Sequence, residues 1–520
     1  MVQIPTLAEP QDVTLTRRSL LSSAAAFTCG AAFPSLVRAQ AGTAMPFSHD
    51  QVIAEAEVLA QKRYHERDEI PEVWRDLSYD QYRALQMDHD RALWANTSSS
   101  YEVDFFPPGS YFSRSVQVFD VADGMAHEVP FVIEDFTAHA HVELPELPLD
   151  DTLGFTGLRF KTYLDVPGKR TEFVVFQGAS YFRAIGVGET YGLSARGLAL
   201  NTGDPEGEEF PDFTKFWIEK PDPEQPDIVV HALLDSPSVT GAYRFDIRPG
   251  ASTVMEVDAT LFPREDLEHV GLAPLTSMFL FDETGRTRFD DYRPAVHDSD
   301  GLLVENGNGE TLWRPLANPV RLQVSSFLDD NPKGFGLMQR ARRFSDFADL
   351  EARYHNRPSL WVEPKGGWGR GAVTLVEIPA DREIYDNIVA YWRPEAGLAE
   401  GTRNDFSYRL TWGPRAPREG AMPRVMNTRM GKDLESDRRL AVIEFEAHPL
   451  LDEGPEGIDV YLWSPSADLS DPVLVRNPES GGLRLAFTFD PGEEDHVELR
   501  GQLRRGGENI SEVWLYRWTA

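Results

Sequence analysis

Leu483-Arg484-Leu485-Ala486-Phe487-Thr488-Phe489-Asp490 alternates large apolar side chains with small or polar ones. Successive side chains of a strand point to opposite faces, so this period buries Leu483, Leu485, Phe487 and Phe489 and leaves the others on the far side. A helix, with 3.6 residues per turn, would scatter those four around its surface. Further short runs at regular spacing surround the stretch. Residues 406–520 therefore read as a small immunoglobulin-like β-sandwich.

The same punctuation governs most of the chain before it. From about Tyr101 to Trp392 the apolar runs are short and bounded by Gly, Pro, Asp and Asn, as in Phe173 to Phe176, Tyr243 to Ile247, Ser277 to Phe281 and Val373 to Ile378. The 40 glycines and 37 prolines are spread along the chain and mark turns. The fold class is all-β, with one large N-terminal sandwich over residues 42–395, a polar Pro/Gly linker at 396–405, and the small sandwich after it. Two helices should precede the strands. One is "QVIAEAEVLAQKRY" (Gln51 to Tyr64), with Val52, Ala56 and Leu59 on one face; the other is capped by Ser78 and runs to Met87.

Residues 1–41 read as an export signal rather than fold. Thr16-Arg17-Arg18-Ser19-Leu20-Leu21 has the twin-arginine form, an Ala-rich apolar stretch follows, and Ala39-Gln40-Ala41 gives a small-x-small cleavage site before Gly42. The single cysteine, Cys29, falls inside that leader, so the mature chain should hold no disulfide and no thiolate metal site. No later run approaches the 18 apolar residues of a membrane span. With 84 acidic residues against 51 basic ones, a net charge of -33 argues against nucleic acid and anionic lipid as partners.

Several familiar chemistries fail on spacing. If Gly301 in "HDSDG" were the EF-hand glycine, Gly307 would stand where the bidentate Glu belongs. Gly186-Val187-Gly188 lacks the third glycine of a dinucleotide fingerprint, and neither a phosphate loop nor a His-Glu-x-x-His zinc motif occurs. No metal and no cofactor is expected.

Carboxylates and aromatics remain, and they are dense between Arg286 and Trp392: Asp290, Asp291, His297, Asp298, Asp300, Glu351, Tyr354, "LWVEPKGGWGRG" (Leu360 to Gly371) and "EIYDNIVAYW" (Glu383 to Trp392). Glycoside cleavage needs one carboxylic acid to protonate the leaving oxygen, a second carboxylate to activate water or attack, and aromatic faces to stack on sugars. Asp298 and Asp386 fit those parts if the fold brings them together. In so acidic a chain any Asp can equally be surface charge, and Asp290 and Asp291 read as surface or loop-capping. His297 alone reads first as structural, and Trp361 and Trp392 sit among core-like neighbours. Trp368, flanked by Gly366, Gly367 and Gly369, reads as a loop residue as open to sugar as to a plain turn.

Longer motifs carry a family resemblance. "GASYFRAIGVGETYGLSARGLALNTG" (Gly178 to Gly203), "FPDFTKFWIEKP" (Phe210 to Pro221), "RFDDYRPAVHDSDGL" (Arg288 to Leu302), "GFGLMQR" (Gly334 to Arg340), "RPSLWVEPKGGWGRGAVTLVEIP" (Arg357 to Pro379) and "DNIVAYWRP" (Asp386 to Pro394) resemble the osmoregulated periplasmic glucan biosynthesis proteins, and the leader resembles that of their D paralogue rather than G. The resemblance implies a galactose-mutarotase-like large sandwich joined to an immunoglobulin-like one, and action on β-1,2-linked glucan in the periplasm as an inverting endo-β-1,2-glucanase. It implies Asp386 as general acid, Asp298 as the base-side carboxylate with Asp300 second, and Tyr354 in the same cleft. His297, Asp300, Glu363, Lys365, Trp368 and Trp392 complete the candidate sugar-binding set. Two alternatives stay open. One is a β-1,2-glucan transglycosylase, the other a non-catalytic glucan-binding partner of a membrane-bound glucan synthase.

Overall fold

The computed structural model describes residues 44–138, 142–222, 227–417 and 420–520; the expected leader, with Cys29, lies outside them. Two large sheets stack face to face. The first carries strands from Gln117–Ala122 through Asp212–Glu219, Ile228–Asp235, Val239–Arg248, Thr253–Pro263, Asn404–Gly413, Ser359–Lys365, Gly334–Met338 and Gly301–Glu305. The second orders Gln323–Asp330, Arg370–Glu377, Ile388–Pro394, Val270–Ser277, Ser194–Arg196, Tyr181–Ala184, Lys169–Gln177, Gly157–Val166 and Glu102–Phe106. Alternation on each strand sends one set of side chains between the sheets, where Phe182 meets Phe245 edge-on at 5.2 Å and Trp412 at 5.9 Å.

The stretch Leu483–Asp490 is a strand whose Leu483, Leu485, Phe487 and Phe489 are buried. With Val425–Lys432 and Arg439–Phe445 it forms a second, smaller sandwich, packed on the end of the first large sheet, with Phe487 edge-on to Trp514 at 6.1 Å. The two units are continuous, because the terminal strand Val513–Thr519 pairs in parallel with Thr311–Pro315, Leu312 opposite Val513 and Trp313 opposite Trp514.

Sheet membership also differs from the expected division at 396–405. Asn404–Gly413, expected to fall in the linker and the small unit, pairs with Thr253–Pro263 on one side and Ser359–Lys365 on the other, so it belongs to the large sheet. The Pro/Gly run before it is a turn, with Gly397 at φ 64 and Gly401 at φ 69. Turn residues close hairpins as readily as they link domains.

Helix His49–Ala60 buries Val52 and Ala56 on the outer face of the large sheet, and it stops short of the expected end at Tyr64. Ser78 caps Tyr79–Ala84 through a capping box with Gln81. The chain then turns extended at Leu85–Met87, which pairs with Phe136–Ala138, where the helix was expected to continue to Met87.

A buried ion pair locks the units together. Arg340 donates to Glu512 at 2.6 and 2.8 Å, Glu512 also accepts from the Val425 amide at 2.8 Å, and the guanidinium lies 3.5 Å over Trp313. Removing one partner leaves the other charge buried alone. Glu512→Ala should cost about 3–5 kcal/mol by urea denaturation. An apolar replacement of both partners should recover most of that loss.

Candidate active site

One end of the sandwich gathers the carboxylates. Strand Val296–His297 pairs with Phe279–Phe281, and the Asp298 amide donates to the Met278 carbonyl at 2.8 Å, which fixes where the Asp298 side chain emerges. That side chain is 2 % exposed and accepts from the Arg357 guanidinium in a buried ion pair. Arg357 is itself held by the Ala352 carbonyl at 3.1 Å and lies 4.3 Å over the Tyr354 ring. Gly192 makes room for it, since a Cβ there would sit 2.9 Å from the Arg357 Cβ.

Asp386 is placed by its neighbour. Asn387 accepts from the Phe279 amide at 2.8 Å and donates to the carbonyls of Phe279 and Ile378 at 2.9 and 3.0 Å, pinning the entry of strand Ile388–Pro394 beside the Asp298 loop. Asp386 is partly exposed, while the protein around it desolvates its carboxyl. Burial pushes its carboxyl up to about 6; the charge of Asp298 adds to the rise, while Arg183, Arg196 and Arg357 oppose it.

Arg196 sits opposite Tyr181 in the sheet, and its guanidinium lies 4.7 Å over that ring. It donates to Thr276 at 2.7 Å and Glu208 at 2.6 Å. Burial raises the Tyr181 phenol to about 12 against the pull of Arg196, with Asp386 contributing to the rise.

The other candidates fall into three groups. His297, Asp300 and Tyr354 stand beside the pair as scaffold. His297 packs flat on Phe279 at 5.2 Å and edge-on to Phe347 at 4.9 Å, and its Nδ1 lies 3.1 Å from Gln339 Oε1. Asp300 turns away to accept from the Arg340 and Ala341 amides. Tyr354 is 2 % exposed and donates to Glu383 at 3.0 Å, with burial pushing its phenol well up.

Glu363 and Lys365 lie toward the far end of strand Ser359–Lys365, whose first residue touches Gln339. Six residue steps carry Lys365 about 20 Å from that contact, and it pairs with Glu256 instead. Trp392 is fully buried between the sheets, and Trp368, for which the sequence leaves sugar binding and a plain turn equally open and which stands in the candidate sugar-binding set, packs onto it at 6.3 Å and is 8 % exposed. The glycines around Trp368 fold the loop so that its ring closes the end of the core. Asp291 caps a turn, accepting from the Arg293 amide at 2.9 Å.

Sequence reasoning passed over Arg183, Arg196, Arg357 and Asn387. Lone arginines inside otherwise apolar strand segments such as "SYFRAIG" are the signal that could have found Arg183 and Arg196. Among the described residues no group of three or more His, Cys, Asp and Glu is placed to hold a metal ion, and no helix is long and apolar enough to cross a membrane.

An acid with raised proton affinity, a second carboxylate matched by arginine, and aromatic and guanidinium donors around them define a site suited to a polyhydroxylated substrate. The family described as "Periplasmic glucan biosynthesis protein, MdoG" matches residues 47–518. A Bradyrhizobium diazoefficiens relative named "Glucans biosynthesis protein G" is 47% identical over 506 residues, covering 97% of this chain and all of its own. Relatives of the same name from Shewanella frigidimarina and Vibrio cholerae are each 48% identical over 91% of this chain, with 85% and 87% of their own lengths covered. The chain belongs to this periplasmic glucan biosynthesis family. These relatives are named G, so the comparisons give the family and not the D paralogue that the leader resembles.

A carboxyl whose proton affinity is higher folded than unfolded stabilises the fold at low pH, and that contribution is lost as pH rises through its folded value, here about 6. Asp386→Asn should therefore gain stability over wild type on going from pH 4 to pH 7.5, by on the order of 2 kcal/mol. Thermal melts of both proteins at the two pH values check this.

Proposed function

We propose that this protein is an inverting endo-β-1,2-glucanase that trims glucan in the periplasm after export by its twin-arginine leader. The observation that carries the reading is Asp386: a partly exposed carboxyl raised to about 6 by burial and by the neighbouring charge of Asp298. Asp386 gives its proton to the glycosidic oxygen as the C–O bond breaks, the bonding pair staying with that oxygen. Water attacks the anomeric carbon from the opposite face and its proton passes toward Asp298. Arg357 balances the Asp298 charge before the reaction, and Tyr354 and His297 keep both groups in place.

Incubation of the mature protein with linear β-1,2-glucan, without added metal, should give shorter chains of inverted anomeric configuration. Asp386→Asn should lower the rate by about 10²–10⁴-fold, the usual contribution of general acid catalysis. An uncleaved polymer with wild-type protein sinks the proposal. Because the acid must carry its proton, kcat/KM should fall as pH rises through about 6. Asp298→Asn should cost activity comparably, whereas Asp300→Asn, which removes the negative charge that two backbone amides face, should lower stability more than turnover. The reverse ranking would move the base to Asp300.

One observation favours transglycosylation as a second reading. Asp298 is 2 % exposed and tied to Arg357, so water reaching it competes with an ion pair, and a sugar hydroxyl held by the cleft would compete well with water. Products longer than the starting chains would select it. Glucan bound at unchanged length would instead select a non-catalytic partner of a glucan synthase, a role compatible with the biosynthesis name of the relatives.

A further inference from the structure

Six arginines are buried among the described residues: Arg183, Arg196, Arg314, Arg340, Arg357 and Arg424. Five have a carboxylate partner, respectively Glu208, Glu377, Glu512, Asp298 and Glu446 for Arg196, Arg314, Arg340, Arg357 and Arg424. Arg183, 8 % exposed, pairs through its backbone with Val175, but its side chain makes no hydrogen bond or ion pair to any described residue. Its guanidinium nitrogens are not among the fully buried atoms left without a partner, so they stay open to solvent beside the site. In a chain with 84 acidic residues, a counter-ion for it would have been easy to supply.

The sheet register says where this cation looks. On strand Tyr181–Ala184, Phe182 and Ala184 point into the core, and Ala195 opposite Phe182 does the same. Tyr181 and Arg183 therefore face the other way, on the side of the sheet that carries Arg196 opposite Tyr181. The charge of Arg183 reaches Asp386, Tyr181 and Tyr79, the last from the N-terminal helix Tyr79–Ala84. Of the charges acting on Asp386, that of Arg183 is the largest, ahead of Asp298, Arg196 and Arg357. An open cation between two phenols and an acid is the composition of a sugar subsite, where the planar fork donates to vicinal hydroxyls.

Building on the glucanase reading, we propose that Arg183 is a further substrate-binding residue of this cleft. Its guanidinium donates hydrogen bonds to hydroxyls of the glucose unit held beside Asp386, and it stabilises the Asp386 carboxylate left after the proton has moved to the leaving oxygen.

The test uses Arg183→Met, which keeps the apolar stem, and Arg183→Lys, which restores the charge. In the inactive Asp386→Asn protein, Arg183→Met should weaken binding of linear β-1,2-gluco-oligosaccharides, read by calorimetry, by about tenfold or more. In the active protein it should lower kcat and move the alkaline limb of the kcat/KM profile up by about one pH unit, with Arg183→Lys moving the limb back. Unchanged binding together with an unmoved limb overturns the proposal, as does a loss of activity that leaves both unchanged. If the Asp386→Asn parent binds no β-1,2-glucan, the glucanase reading fails by itself. Titration of Asp386 by 13C NMR, assigned by its disappearance in Asp386→Asn, still judges Arg183: an Asp386 titration unmoved by Arg183→Met overturns the assignment.

Discussion

The buried pair of Asp298 and Arg357 is the constraint around which this end of the molecule is organised. Two charges withdrawn from water are tolerable only if they meet each other and if the rest of their hydrogen-bonding capacity is met nearby. Arg357 satisfies that through the Ala352 carbonyl and the Tyr354 ring, and it needs Gly192 to pass at all. A loop, a strand end and a short turn from distant parts of the chain are thereby forced into one register. The same pair adds to the burial of Asp386 two opposing influences, a negative charge from Asp298 and a weaker positive one from Arg357, beside those of Arg183 and Arg196.

A second set of contacts converts that local pair into a stable cleft. Gln339 ties the carbonyls of His297 and Tyr354 at 3.1 and 3.3 Å, and its own amide donates to Ser359 at 3.0 Å. The next residue, Arg340, carries the link to Glu512 and so to the small sandwich. Asp300 accepts from the Arg340 amide between these two systems. The small unit is thus joined to the carboxylate loop through Asp300 and Arg340.

Much of this was legible from residue order. The alternation at Leu483–Asp490 states its own burial, and the Ser78 and Gln81 pair announces a helix start. The carboxylates Asp298 and Asp386 stood out through the motifs around them. Strand pairing was not legible: Asn404–Gly413 looks like the beginning of a new unit because nothing local encodes which sheet accepts a strand. The orientation of Trp368 was equally hidden, since glycines permit an outward or an inward turn and only the cavity over Trp392 chooses between them. Arg357 escaped because its meaning lies in its partner Asp298, which is a tertiary fact.

The charge of the protein makes the site's composition more telling. A net charge of -33 belongs to a chain in which the charges of Arg183, Arg196 and Arg357 all act on Asp386. A neutral polymer gains nothing from long-range steering, so the acidic surface neither helps nor hinders its approach, and recognition must be local. Local recognition of hydroxyls asks for donors already oriented and already dehydrated. Arg196 and Arg357 meet that condition with their positions fixed by Glu208 and Asp298. Arg183 offers the complement, a guanidinium held by a buried strand that no described side chain satisfies, so a ligand's hydroxyls can supply the acceptors that the protein does not.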